Sequence, residues 1–347
     1  MRLVILAVGG VLAVAAQPRK AFDDNEHGVA AASRGDYKEA ERLYSESVAL
    51  WRELGPKYEA HLAISEANLA DALCAQGRRE EGAKLENEAL ATLRRTLGIR
   101  NINTLNTMNS LAGIDIMLGE TGPAEQFLRE ALAVERELYP NDVQLTRSLI
   151  GLATIRLRGG KYDEGLPLAE EGLRNVQKAG ADDTLDAALA YTTVAEIHRC
   201  AKRPERALPL YRKARAIYER KLGPGSVRVA VVLTQEGLIL LGEGKVALAD
   251  KAVTRSLDLV ENGCPGCAAE RFVVETNAAL VRLQQGRYSE ADRLLSGAIS
   301  LEEQAHTHPG ADVASALNTL ALVREKERLY EDADRLHKRA AAILAYQ

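Results

Sequence analysis

Aromatic side chains are scarce in this 347-residue chain: Phe, Trp and Tyr together make up 4%, with one Trp and three Phe. Their scarcity argues against one large filled core and for a fold in which small residues set the spacing between helices. Charge of one sign is lacking as well. Lys and Arg number 45 against 49 Asp and Glu, a net charge of -4, and no basic stretch alternates with aromatics, so nucleic-acid binding is not indicated. The chain contains no GxSxG, HExxH or P-loop, which leaves every common enzyme class without a motif. The segment Gly242-Glu243-Gly244-Lys245-Val246-Ala247 imitates a dinucleotide fingerprint, yet no strand precedes it. His306-Thr307-His308 has no carboxylate or thiol cluster beside it, and it reads as a surface loop. No cofactor, metal or small-molecule substrate is expected.

What the chain does contain is a period. Aligned on itself at a step of 42 residues, it repeats one short pattern eight times: Gly35-Asp36-Tyr37 with Ala40, Gly160-Lys161-Tyr162 with Gly165, Gly286-Arg287-Tyr288 with Ala291, Arg328-Leu329-Tyr330 with Ala333, and weaker copies at Gly77, Gly119, Lys202 and Gly244. A fixed period of this length marks a stacked repeat array. Within each period, apolar residues recur at helical spacing on both sides of the turn, as in Leu317, Leu320 and Ala321 before it and Ala333, Leu336 and Ala340 after it. The unit is therefore helix, tight turn, helix, and neither helix can bury its apolar stripe without its neighbours. Prolines gather in the joints, while Pro167 and Pro209 lie further into helices, where kinks are expected.

These positions resemble the tetratricopeptide repeat, in the 42-residue form of kinesin light chains. The resemblance rests on small residues in register: Ala40, Gly82, Ala124, Gly165, Ala207, Ala249, Ala291 and Ala333 after the turn, and Gly28, Ala70, Ala112, Ala153, Ala195, Gly237, Ala279 and Ala321 before it. It implies an all-α, right-handed superhelix of about eight helix-turn-helix repeats, near 21–58, 63–100, 105–141, 146–182, 188–225, 230–266, 272–309 and 314–347. Repeat 2 departs from the pattern, with Arg79 for the aromatic and Glu86 for a bulky apolar residue, so looser packing is expected there.

Arg2 precedes an apolar run from Leu3 to Ala16, after which Gln17-Pro18-Arg19-Lys20 follows. A basic start, a short apolar run and small residues at its end describe a secretory signal peptide over 1–16, with the repeats at 17–347. The expected location is periplasmic or extracellular, and the alternative is an uncleaved membrane anchor. Of the four cysteines, Cys264 and Cys267 form the one CxxC, which supplies half of a structural zinc site; a local disulfide is expected, against free thiols or a redox or metal role.

In the resembling family, extended peptides or partner segments lie against the first helices of the repeats. Position 5 of those helices reads Asn25, Ala67, Asn109, Ile150, Thr192, Thr234, Thr276 and Asn318, and short amides and hydroxyls at a regular step suit a peptide backbone. Asn68 and Asn277 follow at position 6, and Arg147 adds charge. Leu238, Leu241, Leu280 and Leu283 give repeats 6 and 7 an apolar strip. The alternative is that the ladder only bridges adjacent helices. The expected function is an exported, non-catalytic scaffold for a protein or peptide. The alternatives are a thiol-redox envelope protein using Cys264 and Cys267, or an architectural protein associating with itself through its C-terminal repeat.

Overall fold

The computed structural model of the chain describes residues 3–140, 142–263, 267–305 and 310–345. Among these residues there is no strand. Repeat by repeat, the helices are α1 (Leu3–Ser33) and α2 (Tyr37–Leu54), α3 (Glu59–Ala75) and α4 (Arg79–Thr96), α5 (Ile102–Leu118) and α6 (Thr121–Leu138), α7 (Leu145–Arg158) and α8 (Tyr162–Lys178). They continue with α9 (Leu185–Cys200) and α10 (Pro204–Leu222), α11 (Val227–Gly242) and α12 (Val246–Gly263), α13 (Ala268–Gln284) and α14 (Tyr288–Ala305), α15 (Ala311–Lys326) and α16 (Tyr330–Ala345). A 3-10 turn, Pro56–Tyr58, joins α2 to α3. The chain divides into two compact units, Met1–Thr193 and Val194–Gln347, with the division inside α9.

Within each unit, a repeat's first helix packs on its second, and that second helix packs on the first helix of the next repeat. Successive first helices also touch, α3 on α5 and α5 on α7 in one unit, α11 on α13 and α13 on α15 in the other. The eightfold turn comes from one backbone device. In every repeat a residue one or two places after the first helix lies in the left-handed region, at Gly35, Gly77, Gly119, Gly160, Lys202, Gly244, Gly286 and Arg328. Its N–H and the next one reach back to carbonyls of the last helical turn, as Gly160 does to Leu157 and Lys161 to Arg156. This paired capping satisfies carbonyls that a helix end leaves open, and glycine takes it without strain. Lys202 and Arg328, at φ 61° and 64°, hold it despite their side chains.

Small residues allow the crossings. Ala40, Ala124, Ala207, Ala291, Ala70, Ala112, Ala153, Ala195, Ala279 and Ala321 have no exposed surface. At Gly82 the need is steric: a Cβ there would stand 2.2 Å from Cys74 Sγ and 2.9 Å from the Ala70 carbonyl oxygen. Helices α8 and α10 run on through Pro167 and Pro209, so neither proline ends its helix. Outside, exposed ion pairs step from one repeat to the next, including Arg78 to Glu41 at 2.6 Å and, five repeats on, Arg287 to Asp250 at 2.8 Å. Exposed pairs of this kind contribute about 0.2–1 kcal/mol each.

The apolar segment at the start lies in α1, a continuous helix, so the boundary expected after residue 16 falls inside it. No helix among the described residues is long and apolar enough to cross a membrane. Cys267 is buried and disulfide-bonded; Cys264, expected as its partner, lies outside the described residues. Cys74 and Cys200 are free. Burial, with Asp71 and Glu86 nearby, pushes the Cys74 thiol up to about 12, and burial beside Glu196 raises that of Cys200, so both are poor nucleophiles at neutral pH.

Candidate functional site: the open strip of the first helices

Each first helix is buried on the sides that meet its neighbours and leaves one strip open, with a spacing of three and four residues. On α5 the strip is Asn103, Asn106, Ser110, Gly113 and Met117. The same register gives His61, Ile64, Asn68, Asp71 and Ala75 on α3, and Arg147, Gly151, Thr154 and Arg158 on α7, with Gln144 just before it. In the second unit it gives Val231, Gln235 and Leu238 on α11, Val273, Asn277 and Leu280 on α13, and Ser315, Thr319 and Leu322 on α15.

This register lies one residue on from the ladder expected at position 5. The polar side chains at that position already have partners on neighbouring helices or on their own, although Asn318 remains exposed. Asn109, 7% exposed, donates to Glu135 Oε1 at 2.8 Å and accepts from Ser148 at 2.7 Å. The hydroxyls of Thr192, Thr234 and Thr276 donate to carbonyls of their own helices, at Ala188, Val231 and Phe272, as threonine in a helix commonly does. Asn318 Oδ1 meets His337 Nδ1 at 2.8 Å. Leu241 is buried within the second unit rather than open on the strip, whereas Leu238, Leu280 and Leu283 are half-buried.

The two units treat their strips differently. In the first, polar groups are tied across repeats: Asn68 donates to Asn25 at 3.0 Å, Ser110 to Asp71 at 2.8 Å, and Arg147 Nε to Asp186 at 3.0 Å. The adjacent Asp186 carboxylate raises the Arg147 guanidinium. These side chains hold neighbouring first helices together. In the second unit the strip is apolar at its edges, with Val231 and Val273 on one side and Leu238, Leu280 and the 41% exposed Leu322 on the other. Between those rows lie two amides one repeat apart. Gln235 is 8% exposed and its Oε1 is buried without a hydrogen-bond partner. The side chain of Asn277, half-buried, makes no hydrogen bond among the described residues. Sequence reading found Asn277 and missed Gln235, whose signal was its register with Asn277 and Asn68.

Among the described residues no group of three His, Cys, Asp or Glu is placed to hold a metal ion. The tetratricopeptide-repeat family model matches residues 61–137, 144–220 and 186–262, more than half of the chain. The chain belongs to the tetratricopeptide-repeat family. No curated protein matches it by sequence. Among solved structures it is similar to a Rap protein complexed with Competence and Sporulation Factor, at 13% identity and TM-score 0.65, over 96% of this chain and 98% of that one. It is similar, at 13% identity and TM-score 0.65, to NprR in complex with its cognate peptide NprX, over 92% of this chain and 86% of that one. BtubC (BKLC) from P. vanneervenii is 21% identical, with a TM-score of 0.45, over 78% of this chain and 91% of that one. At these identities the likeness of Rap and NprR shows the fold, an all-α tetratricopeptide-repeat solenoid.

Proposed function

We propose that this protein is a non-catalytic scaffold that binds an extended protein segment along the strip of its second unit. The observation that carries the reading is the pair of unpartnered amides, Gln235 and Asn277, set between apolar rows. A buried amide oxygen without a partner costs free energy unless a ligand supplies the missing donor, and a peptide main chain offers a donor and an acceptor at every residue. Val231, Leu238, Val273 and Leu280 would then take alternate side chains. The cognate peptide in the NprR complex supports the reading at the level of the shared fold.

Capture of binding peptides from a random library by the full chain tests it. Asn277→Ala should weaken the selected peptides by about 0.5–1.5 kcal/mol and Leu280→Ala by about 1–3 kcal/mol, each with little change in melting. The control is the fully buried Leu295, whose truncation to Ala should cost about 2–5 kcal/mol of stability. If Leu280→Ala melted as early as Leu295→Ala while capture was unchanged, the strip would be core and the reading wrong.

The proposal includes export. Its support is the basic start, apolar run and small residues that end at Ala16. Mass spectrometry of the protein from its native host should find a first residue near Gln17; an intact Met1 on protein from the cytoplasm would overturn it.

A further inference from the structure

The second unit contains a cleft that the binding strip does not use. It holds about 330 Å³ between α13 and α14, and its polar lining is Arg271, Glu275, Arg293, Ser300 and Gln304, with Gly297 in its wall. Departures from the repeat pattern create it. Arg271 and Glu275 stand where the preceding repeat has Val229 and Leu233 and the following one Val313 and Leu317, all four buried. Gly297 stands where those repeats carry Arg255 and Arg339, so a long side chain that would cover the space is missing.

The charges inside are only partly paired. Arg271 takes one oxygen of Glu275, Oε1, at 2.9 Å. Oε2 has no partner among the described residues and faces the gap at Gly297, 3.8 Å from where a Cβ would stand. Because Glu275 is 8% exposed, this oxygen is offered to little besides the cleft. Arg293, exposed on α14, has no acidic partner among the described residues. Gln304 donates to Ser300 at 3.2 Å, leaving the Gln304 carbonyl oxygen as a further acceptor. One open carboxylate oxygen, on a Glu275 whose other oxygen is paired with Arg271, and one unpaired guanidinium group thus share a space at the lower end of the range for small-molecule sites. A simple anion would meet the buried carboxylate, and a simple cation would meet two guanidinium groups. A molecule carrying both charges matches the site.

We infer that this cleft binds a small zwitterion of the amino-acid class, its ammonium held by Glu275 Oε2 and its carboxylate by Arg293. Leu294 and Leu301, also in the lining, would face the apolar part of the side chain. Isothermal titration of the full chain with each of the twenty standard amino acids tests this, with acetate, methylamine and inorganic phosphate as partial probes. At least one amino acid should saturate a single site. Its affinity should fall about tenfold or more in Arg293→Ala and in Gly297→Leu, which puts a side chain into the cleft, and each partial probe should bind about tenfold more weakly than the amino acid. Arg293 lies on the surface, so its variant decides the matter even if Gly297→Leu folds poorly; the melting temperature of each variant is measured alongside. The inference is overturned by no binding of any amino acid, by binding that Arg293→Ala leaves intact, or by phosphate or acetate binding as tightly as the amino acid.

Discussion

Replacing Glu86 with Leu should make the protein more stable, by about 1–3 kcal/mol in the repeat that carries it. Glu86 lies on α4 with 1% of its surface exposed, and neither carboxylate oxygen has a hydrogen-bond partner. Equivalent places in other repeats hold Tyr44, Leu128, Tyr211, Val253 and Leu295, all buried. Leucine therefore suits the space, and it removes the desolvation cost of a carboxyl group that receives nothing in exchange. Burial, with Asp71 nearby, pushes the Glu86 carboxyl well above its ordinary value of 4.5. A pKa raised on folding stabilises below the unfolded value and loses that contribution as pH rises toward the folded one. The advantage of Glu86→Leu should thus grow from about pH 4.5 upward, and Glu86→Gln should show a smaller gain over the same window. The single Trp, Trp51, is 1% exposed at the junction with repeat 2 and gives a local fluorescence readout of unfolding. A Leu variant no more stable than the parent at pH 8, or an advantage independent of pH, would show that the carboxyl group is not the burden inferred.

The features legible in the sequence are those that sterics impose at every repeat. A left-handed turn selects glycine in six of eight copies, and close helix crossings select Ala or Gly, so both appear as periodic residues. Side-chain hydrogen bonds leave no such trace. Whether Thr234 serves a ligand or its own helix depends on the rotation of α11 by one residue step, which composition does not fix. The strip was displaced for that reason from position 5 to its neighbour. Columns of the second helix carried an unread signal: Glu135 stands in a column that holds Trp51, Leu93, Val176, Tyr218 and Val260 and only one other acid, Glu302, and a buried acid in a mainly apolar column calls for buried donors. The same reading applied to Arg271 and Glu275 would have pointed to the cleft in repeat 7.

Asn109→Ala should destabilise the first unit by about 1–3 kcal/mol and leave peptide capture by the second unit unchanged. Glu135 is 1% exposed, and its oxygens meet Asn109 Nδ2 at 2.8 Å and Ser148 Oγ at 2.7 Å, while Ser148 also meets Asn109 Oδ1 at 2.7 Å. A serine hydroxyl has one proton, so all three contacts are hydrogen bonds at once only when Glu135 is protonated and donates to Ser148. Burial raises the Glu135 carboxyl, against the opposing effect of its two hydrogen bonds, in the direction that closes this ring. Its contribution is present at low pH and falls as pH rises through the raised value. Truncating Asn109 removes a donor and an acceptor from a site that water does not reach, which should lower the calorimetric melting temperature by about 2–4 °C per kcal/mol lost. Glu135→Gln keeps an N–H donor toward Ser148 and should be much milder. Asn277→Ala should behave in the opposite way, with capture weakened and melting nearly unchanged. Loss of capture in Asn109→Ala without any fall in melting would return position 5 to the binding surface and reverse the assignment of the two amides.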